Sequence, residues 1–313
     1  MKIIIELPTW LGDAVMTSPA IKNIISKYPK CEITLIGSFV SVNALKKIPG
    51  VSATTIIDKS FHSLKKIYNL DNRFDLLFCF RSSLRSKAYS LLINAKKKFF
   101  FNKKKYSGHQ VERYNSFVCS ALNFYIKPGS LDINYQKKTG AKKRMTLGLN
   151  PGATYGNAKR WSSSEFAKVA RKMSDKYDII IFGGPNEISI AQDIESKLSN
   201  YGVKNFKNLA GKTSVESLIK SISELDLFIT NDSGPMHIAA ALEVKTLAIF
   251  GPTDFRVTSP WRNKFATIVH KNLPCQPCMK RVCPLVHNNC MTTIQAKEVL
   301  DKLSLAINNK TKV

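Results

Sequence analysis

LDLFITNDSGPMHIAAAL, residues 225–242, begins as a strand and ends as a helix. Leu225–Thr230 is a short apolar run, Pro235–Leu242 is apolar and rich in alanine, and Asn231-Asp232-Ser233-Gly234 between them is cap and turn chemistry. Pro235 falls in the first helical turn, where its missing N–H costs no hydrogen bond. A strand that turns within four residues into a helix is half of a parallel α/β unit, and the amides at that helix start form an anion site. His237, about one turn inside, is expected on the ligand side in contact with a diphosphate; a packing histidine is the alternative.

The same alternation runs outward in both directions. Strands are predicted at Lys2–Leu7, Glu32–Ile36, Thr54–Ile57, Asp75–Phe80 and Lys98–Phe101, with helices at Ser18–Lys27, Val40–Lys47, Ser60–Leu70, Leu84–Asn94 and Val111–Phe124. Lys127–Arg144, with Pro128-Gly129 and several Lys, breaks the pattern and reads as a linker. Beyond it come strands at Met145–Leu149, Asp178–Phe182, Leu225–Thr230 and Thr246–Phe250, and helices at Ser163–Ser174, Glu187–Ser199, Val215–Ser223 and Pro235–Leu242. A last helix, Thr293–Asn308, is expected to pack back across the hinge. The chain therefore reads as two Rossmann-like α/β domains, residues 1–144 and 145–313, each with a parallel sheet and with ligands beyond the carboxyl ends of the strands.

Composition narrows the function. The 313 residues are 44% hydrophobic, which suits a globular chain and excludes a disordered basic tail. No run approaches the roughly 18 to 20 apolar residues of a membrane span. Glu6 and Asp13 interrupt the apolar opening and no small-residue cleavage site follows, so a cytoplasmic chain is expected. The net charge is +26, and it is uneven: residues 1–145 hold 26 Lys+Arg against 8 Asp+Glu, whereas residues 146–313 hold 22 against 14. The first half thus either faces something anionic, such as nucleic acid, a lipid surface or a phosphorylated glycan, or is simply a solubilising Lys-rich surface.

Further motifs follow the predicted strands. After the first, Pro8-Thr9-Trp10-Leu11-Gly12-Asp13 places Asp13 near a helix start. A capping carboxylate is the favoured reading on sequence alone, but Ser18-Pro19 is an equally good helix start and would leave Asp13 available for chemistry. Asn150–Trp161 joins a Gly-containing loop with Thr154 to the adjacent cations Lys159 and Arg160. The capping box Ser162-Ser163-Ser164-Glu165 follows, a setting for phosphate. The Gly211-Lys212-Thr213 triplet lacks the first glycine of a Walker A loop and no Gly-x-Gly-x-x-Gly occurs, so a P-loop nucleotidase or a dinucleotide oxidoreductase is not expected.

Pro-Thr-Trp-Leu-Gly-Asp, Asn-Pro-Gly-Ala with the later Lys-Arg-Trp, Asn-Asp-Ser-Gly-Pro-Met-His and Phe250-Gly251-Pro252-Thr253-Asp254 together resemble the ADP-heptose:lipopolysaccharide heptosyltransferases, closest to the heptosyltransferase II branch. The resemblance runs from residue 1 to about residue 300. It implies a GT-B fold and inverting, metal-independent transfer of heptose from ADP-heptose to the first heptose of the inner core. The implied general base is Asp13; Thr154 and Lys159 hold phosphates; Asp232, Ser233, Gly234 and His237 hold sugar and diphosphate; Glu187 binds ribose; and Leu209–Thr213 lines the adenine pocket. The implied acceptor, a Kdo-lipid A-heptose, would meet Arg81, Arg85, His109 and Arg113. No cofactor is required on that reading, the partner is the anionic glycolipid at the cytoplasmic face of the inner membrane, and nucleic acid is not expected. Transfer to a neighbouring core position (heptosyltransferase I or III) is the nearest alternative. A sugar-nucleotide epimerase and a plain anionic-surface or nucleic-acid binder stand further off.

Two clusters remain. Cys275, Cys278, Cys283 and Cys290 admit a structural zinc in a reducing compartment, although reduced thiols packing a loop are the preferred expectation. Lys96–Lys98 and Lys103–Lys105 around Phe99-Phe100-Phe101 could touch a membrane surface, but a buried strand with solvated ends is preferred.

Overall fold

The computed structural model describes residues 1–58, 60–70, 73–136 and 143–308, so part of the predicted linker lies outside the described residues. The chain divides into two compact units, Met1–Tyr135 and Gln136–Val313. The first contains β1 (Lys2–Glu6), α1 (Leu11–Lys27), β2 (Glu32–Gly37), α2 (Phe39–Leu45), β3 (Val51–Ile56), α3 (Phe61–Tyr68), β4 (Phe74–Cys79), α4 (Leu84–Leu92), β5 (Ala95–Phe100) and α5 (Gln110–Leu122). The second contains β6 (Met145–Asn150), α6 (Ser163–Met173), β7 (Tyr177–Ile181), α7 (Ile188–Asn200), β8 (Phe206–Asn208), α8 (Val215–Ser223), β9 (Leu227–Asn231), α9 (Gly234–Ala241), β10 (Thr246–Ile249), α10 (Phe255–Thr258), β11 (Ala266–Val269), α11 (Asn289–Thr292) and α12 (Ala296–Asn308).

Both sheets are parallel. The first has the order β3-β2-β1-β4-β5 and the second β11-β10-β9-β6-β7-β8. Central strands are apolar on both faces because helices cover both: Ile3, Ile4 and Ile5 of β1 are all fully buried. One face of the first sheet packs Ile4, Ile36, Phe74, Leu77 and Tyr89 together. Around Phe78 and Phe80, edge-to-face contacts with Phe117 and Tyr114 at ring separations of 5.4–6.2 Å fix α5. In the second unit Trp161, Phe166, Ile181, Ile229 and Val299 share one core, and α12 packs on α6 and β11.

Strand order decides where a ligand can sit. Connections leave β1 and β4 for opposite sides of the first sheet, and those from β6 and β9 do the same in the second. A crevice therefore opens beyond the carboxyl ends of each neighbouring pair. The first turn of α1, which follows β1, carries Asp13, and the loop after β4 carries Arg81; the loops after β6 and β9 carry Lys159 and Asp232.

Three local expectations are corrected. Helix α1 starts at Leu11, not Ser18, so Pro19 is internal. Its missing N–H would orphan the Val15 carbonyl, and the Ser18 hydroxyl donates to that oxygen instead (2.8 Å). Glu165 does not close a capping box: Ser162 caps α6, while the Glu165 carboxylate accepts from Lys168 Nζ (2.5 Å) and the Ala296 amide (2.6 Å), holding α12. Strand β5 is an exposed sheet edge rather than a buried strand. No helix among the described residues is long and apolar enough to cross a membrane.

Candidate functional site

At the carboxyl edge of the first sheet, Asp13 lies half-buried in the first turn of α1. Trp10 occupies the cap position without a side-chain bond. The buried Tyr114 hydroxyl of α5 donates to the Asp13 carboxylate and accepts from Gln110. Burial first, then the Asp13 charge, holds that phenol well above its usual pKa, so it remains a donor. Helices α1 and α5 are also joined by Asn23 Nδ2 donating to Asn115 Oδ1 (2.6 Å).

Seven residues earlier, Glu6 ends β1 fully buried. It accepts from the Ser86 hydroxyl, from Cys79 Sγ (3.1 Å) and from Arg81 Nη1 (3.3 Å). Burial and then the Glu6 charge push the Cys79 thiol up to about 12, keeping it protonated. Arg81 is therefore anchored, whereas Arg85 is exposed on α4. His109 is buried as the cap of α5: its Nδ1 accepts from the Val111 amide (3.2 Å), and Glu112 accepts from the His109 amide (2.8 Å). Arg113 Nε donates to the Gly108 carbonyl (2.9 Å).

In the second unit Lys159 and Asp232 are brought together from opposite sides of the switch point, Nζ to Oδ2 2.5 Å, with both side chains nearly buried. Thr253 donates to the same oxygen (2.7 Å), and the ammonium lies 4.7 Å from the Tyr155 ring centroid. Asp232 and Ser233 do not cap α9 with their side chains as the sequence implied. Asp232 is committed to Lys159 and Thr253, and Ser233 accepts from Asn150 Nδ2 (2.8 Å). That leaves the helix start, with Gly234 and Pro235, to its own amides. His237 is buried in the first turn of α9.

Glu187 bridges two loops. It accepts from the Gly184 amide (2.7 Å), and its carboxyl group fills the space where a Cβ on Gly152 would stand, 2.1–2.4 Å from that position. Gly211 donates to the Gly183 carbonyl (2.9 Å), tying the loop that carries half-buried Thr213 to the Glu187 loop. Thr154 is exposed in the turn before Tyr155.

The cysteine segment braces this loop. The Tyr155 hydroxyl donates to the Met279 carbonyl (2.7 Å), the Ala158 amide donates to the Arg281 carbonyl (3.1 Å), and a Cβ on Gly156 would meet that carbonyl at 2.3 Å. Cys275, Cys278, Cys283 and Cys290 line one cavity of about 20 Å³ with His287. Burial, then the neighbouring thiols, pushes Cys290 up to about 11. Among the described residues no three His, Cys, Asp or Glu side chains are arranged to hold a metal ion.

Sequence reasoning had not singled out Glu6, Tyr114, Gln110, Tyr155 or Thr253. Glu6 and Tyr114 join residues far apart in the chain, Gln110 acts on Tyr114 from one turn away, and Tyr155 and Thr253 stood in quoted motifs without an assigned role.

The family model for glycosyltransferase family 9 (heptosyltransferase) matches residues 78–288. A lipooligosaccharide heptosyltransferase 2 of Campylobacter jejuni is 41% identical over 99% of both chains. The structure of Escherichia coli ADP-heptose lipopolysaccharide heptosyltransferase II superposes with a TM-score of 0.83 at 20% identity, covering 99% of this chain and 100% of that one. An iron-containing glycosyltransferase, TibC, from enterotoxigenic Escherichia coli superposes at 0.65 with 13% identity, over 99% of this chain and 80% of the other.

Proposed function

Because the chain belongs to glycosyltransferase family 9, the heptosyltransferases, we propose that it transfers heptose from ADP-heptose to the first heptose of the lipopolysaccharide or lipooligosaccharide inner core. The observation that carries this reading is the 41% identity with a heptosyltransferase 2 across the full length of both chains. Transfer to another core position has no such support.

Asp13 is the proposed general base. Its carboxylate takes the proton from the acceptor hydroxyl as that oxygen bonds to the anomeric carbon, while the bond to ADP breaks on the opposite face, inverting the centre. The Tyr114 hydroxyl favours the ionised carboxylate that the step requires. Negative charge grows on the departing diphosphate, and Lys159, with the amides at the start of α9 and His237, offsets it. Asp232 and Thr253 hold Lys159 in place. Thr154 adds a hydroxyl to the phosphates, Ser233 and Gly234 meet the sugar, Glu187 accepts from ribose, and Thr213 borders adenine. Arg85 and Arg113 meet the acidic sugars and phosphates of the acceptor; Arg81 does so from its anchorage on Glu6, and His109 by fixing the start of α5. No metal is assigned a role. The acceptor is anchored in the cytoplasmic leaflet, so the enzyme works from the cytoplasm at the membrane surface.

The test is Asp13→Asn, assayed in EDTA with ADP-heptose and either heptose-free or mono-heptosylated acceptor. Turnover should fall by about 10²–10⁴ with ADP affinity unchanged. Near-normal turnover removes Asp13 as base, and addition only to the heptose-free acceptor moves the assignment to the first core position.

A further inference from the structure

Helix α4 is inside out. Its buried side consists of Ser86, Tyr89 and Ser90, while Leu84, Leu91 and Leu92 face outward, Leu84 at 84% and Leu91 at 78% exposure. Leu84, Ala88, Leu91 and Leu92 follow the i, i+4, i+7, i+8 spacing of one helical stripe, which in a globular helix points to the core. The inversion is built in. The Ser86 hydroxyl donates to buried Glu6, the Ser90 hydroxyl donates to the Ser86 carbonyl (2.8 Å), and Tyr89 donates to the Asp58 carbonyl (3.3 Å). Rotating the helix to hide its leucines would turn Tyr89 outward and break the bonds of Ser86 to Glu6 and of Tyr89 to Asp58, which tie α4 to β1 and to the loop after β3.

The surroundings of the stripe are predominantly cationic, with Lys96 of β5 paired to Asp75 of β4 (2.7 Å). From Arg81 to Ser107 there are nine Lys and Arg and no Asp or Glu. Lys98 Nζ donates to the Ser90 carbonyl at the carboxyl end of α4 (2.7 Å), which sets the Lys96, Lys98 and Phe100 face of edge strand β5 beside the helix. Phe100 is 40% exposed there, and Lys103, Lys104 and Lys105 are exposed beyond it. Leucines on one side of a short helix, framed by cations, match a helix lying in a bilayer interface with its apolar side among the acyl chains. A second copy of this chain would bring one predominantly cationic face against another, and the lysines of β5 oppose edge pairing.

We propose that the outer face of α4, with the adjoining edge of β5, is the surface by which this protein docks onto an anionic lipid bilayer. The proposal deepens the assignment of a membrane-anchored acceptor and rests on it. It places the docking surface on the helix whose Ser86 shares Glu6 with Arg81.

The test is co-sedimentation of the full chain with vesicles of phosphatidylethanolamine and phosphatidylglycerol, against vesicles of phosphatidylcholine alone. The Leu84→Ser, Leu91→Ser double variant runs in parallel, and both side chains are exposed enough to be changed without disturbing the core. Wild type should bind the anionic vesicles, lose binding as salt is raised, and bind phosphatidylcholine poorly. The variant should bind about tenfold more weakly and retain turnover on a delipidated acceptor oligosaccharide. Equal binding by wild type and variant, or none by wild type, overturns the surface. So does a variant that changes oligomeric state in light scattering, because the face then joins two copies. Vesicle binding as expected by a protein that transfers no heptose leaves the surface standing and overturns the enzymatic reading instead.

Discussion

Gly152→Ala isolates the contact that shapes the donor-side loops. The backbone of Gly152 lies outside the left-handed region, so an alanine there meets no conformational obstacle; the obstacle is space. The added methyl would stand 2.1 Å from the Glu187 carboxyl carbon and 2.2 and 2.4 Å from its oxygens. All are far inside ordinary contact distance. Glu187 must leave, giving up its bond to the Gly184 amide (2.7 Å) and separating the loops after β6 and β7. A hydrogen bond to a charged group is worth roughly 1.5–3 kcal/mol, and residual crowding adds about 1 kcal/mol. The second unit should therefore lose about 2–4 kcal/mol. Urea denaturation followed by the fluorescence of buried Trp161 reads that loss. Glu187→Ala alone should cost about 1.5–3 kcal/mol, and adding Gly152→Ala to it under 0.5 kcal/mol, because the clash has gone. ADP affinity measured by calorimetry should fall in each single variant. Additive costs in the double variant would refute the contact, and full ADP affinity in Glu187→Ala would remove Glu187 from the ribose.

Two further outcomes follow from the same geometry. Tyr114→Phe removes the donor that favours ionised Asp13, so the acid limb of the kcat/KM profile should move to higher pH; an unmoved limb would mean that the phenol does not act on the proposed base. Lys159→Met leaves Asp232 buried without its cation and should destabilise the second unit by about 3–5 kcal/mol. Adding Asp232→Asn should recover much of that stability in denaturation but none of the ADP affinity, and recovery of both would deny Lys159 its phosphate role.

What was legible in the sequence follows from burial. Central parallel strands are apolar on both faces and short, so β1, β2, β4, β6, β7, β9 and β10 stand out as runs between helices. Edge strands β8 and β11, three and four residues long and partly exposed, offer neither a run nor an alternation and were missed. The start of α1 was misread because Trp10 provides no side-chain cap, while Pro19 imitates a first-turn proline. At the candidate site, loops after strands carried their own signature of Gly, Asp, Ser and Lys. The partners that orient those groups did not. Lys159 and Asp232 are 73 residues apart, Tyr114 reaches Asp13 from another helix, and one-dimensional spacing encodes neither meeting.

The two carboxylates at the end of β1 show why that second layer matters. In the sequence Glu6 and Asp13 look alike, both acids near the switch point of the first sheet. Glu6 has no exposed surface, and hydroxyl, thiol and guanidinium donors already occupy its oxygens. Taking up a proton there would cost these bonds, and no substrate oxygen could approach. Its work is to fix Arg81 and to hold α4 by Ser86. Asp13 is only half-buried, on a helix whose first turn opens at the strand ends, with the Tyr114 hydroxyl as a donor from behind. An acceptor hydroxyl can approach from the solvent side, and the proton it gives up is one that Asp13, unlike Glu6, has the room and the partners to accept.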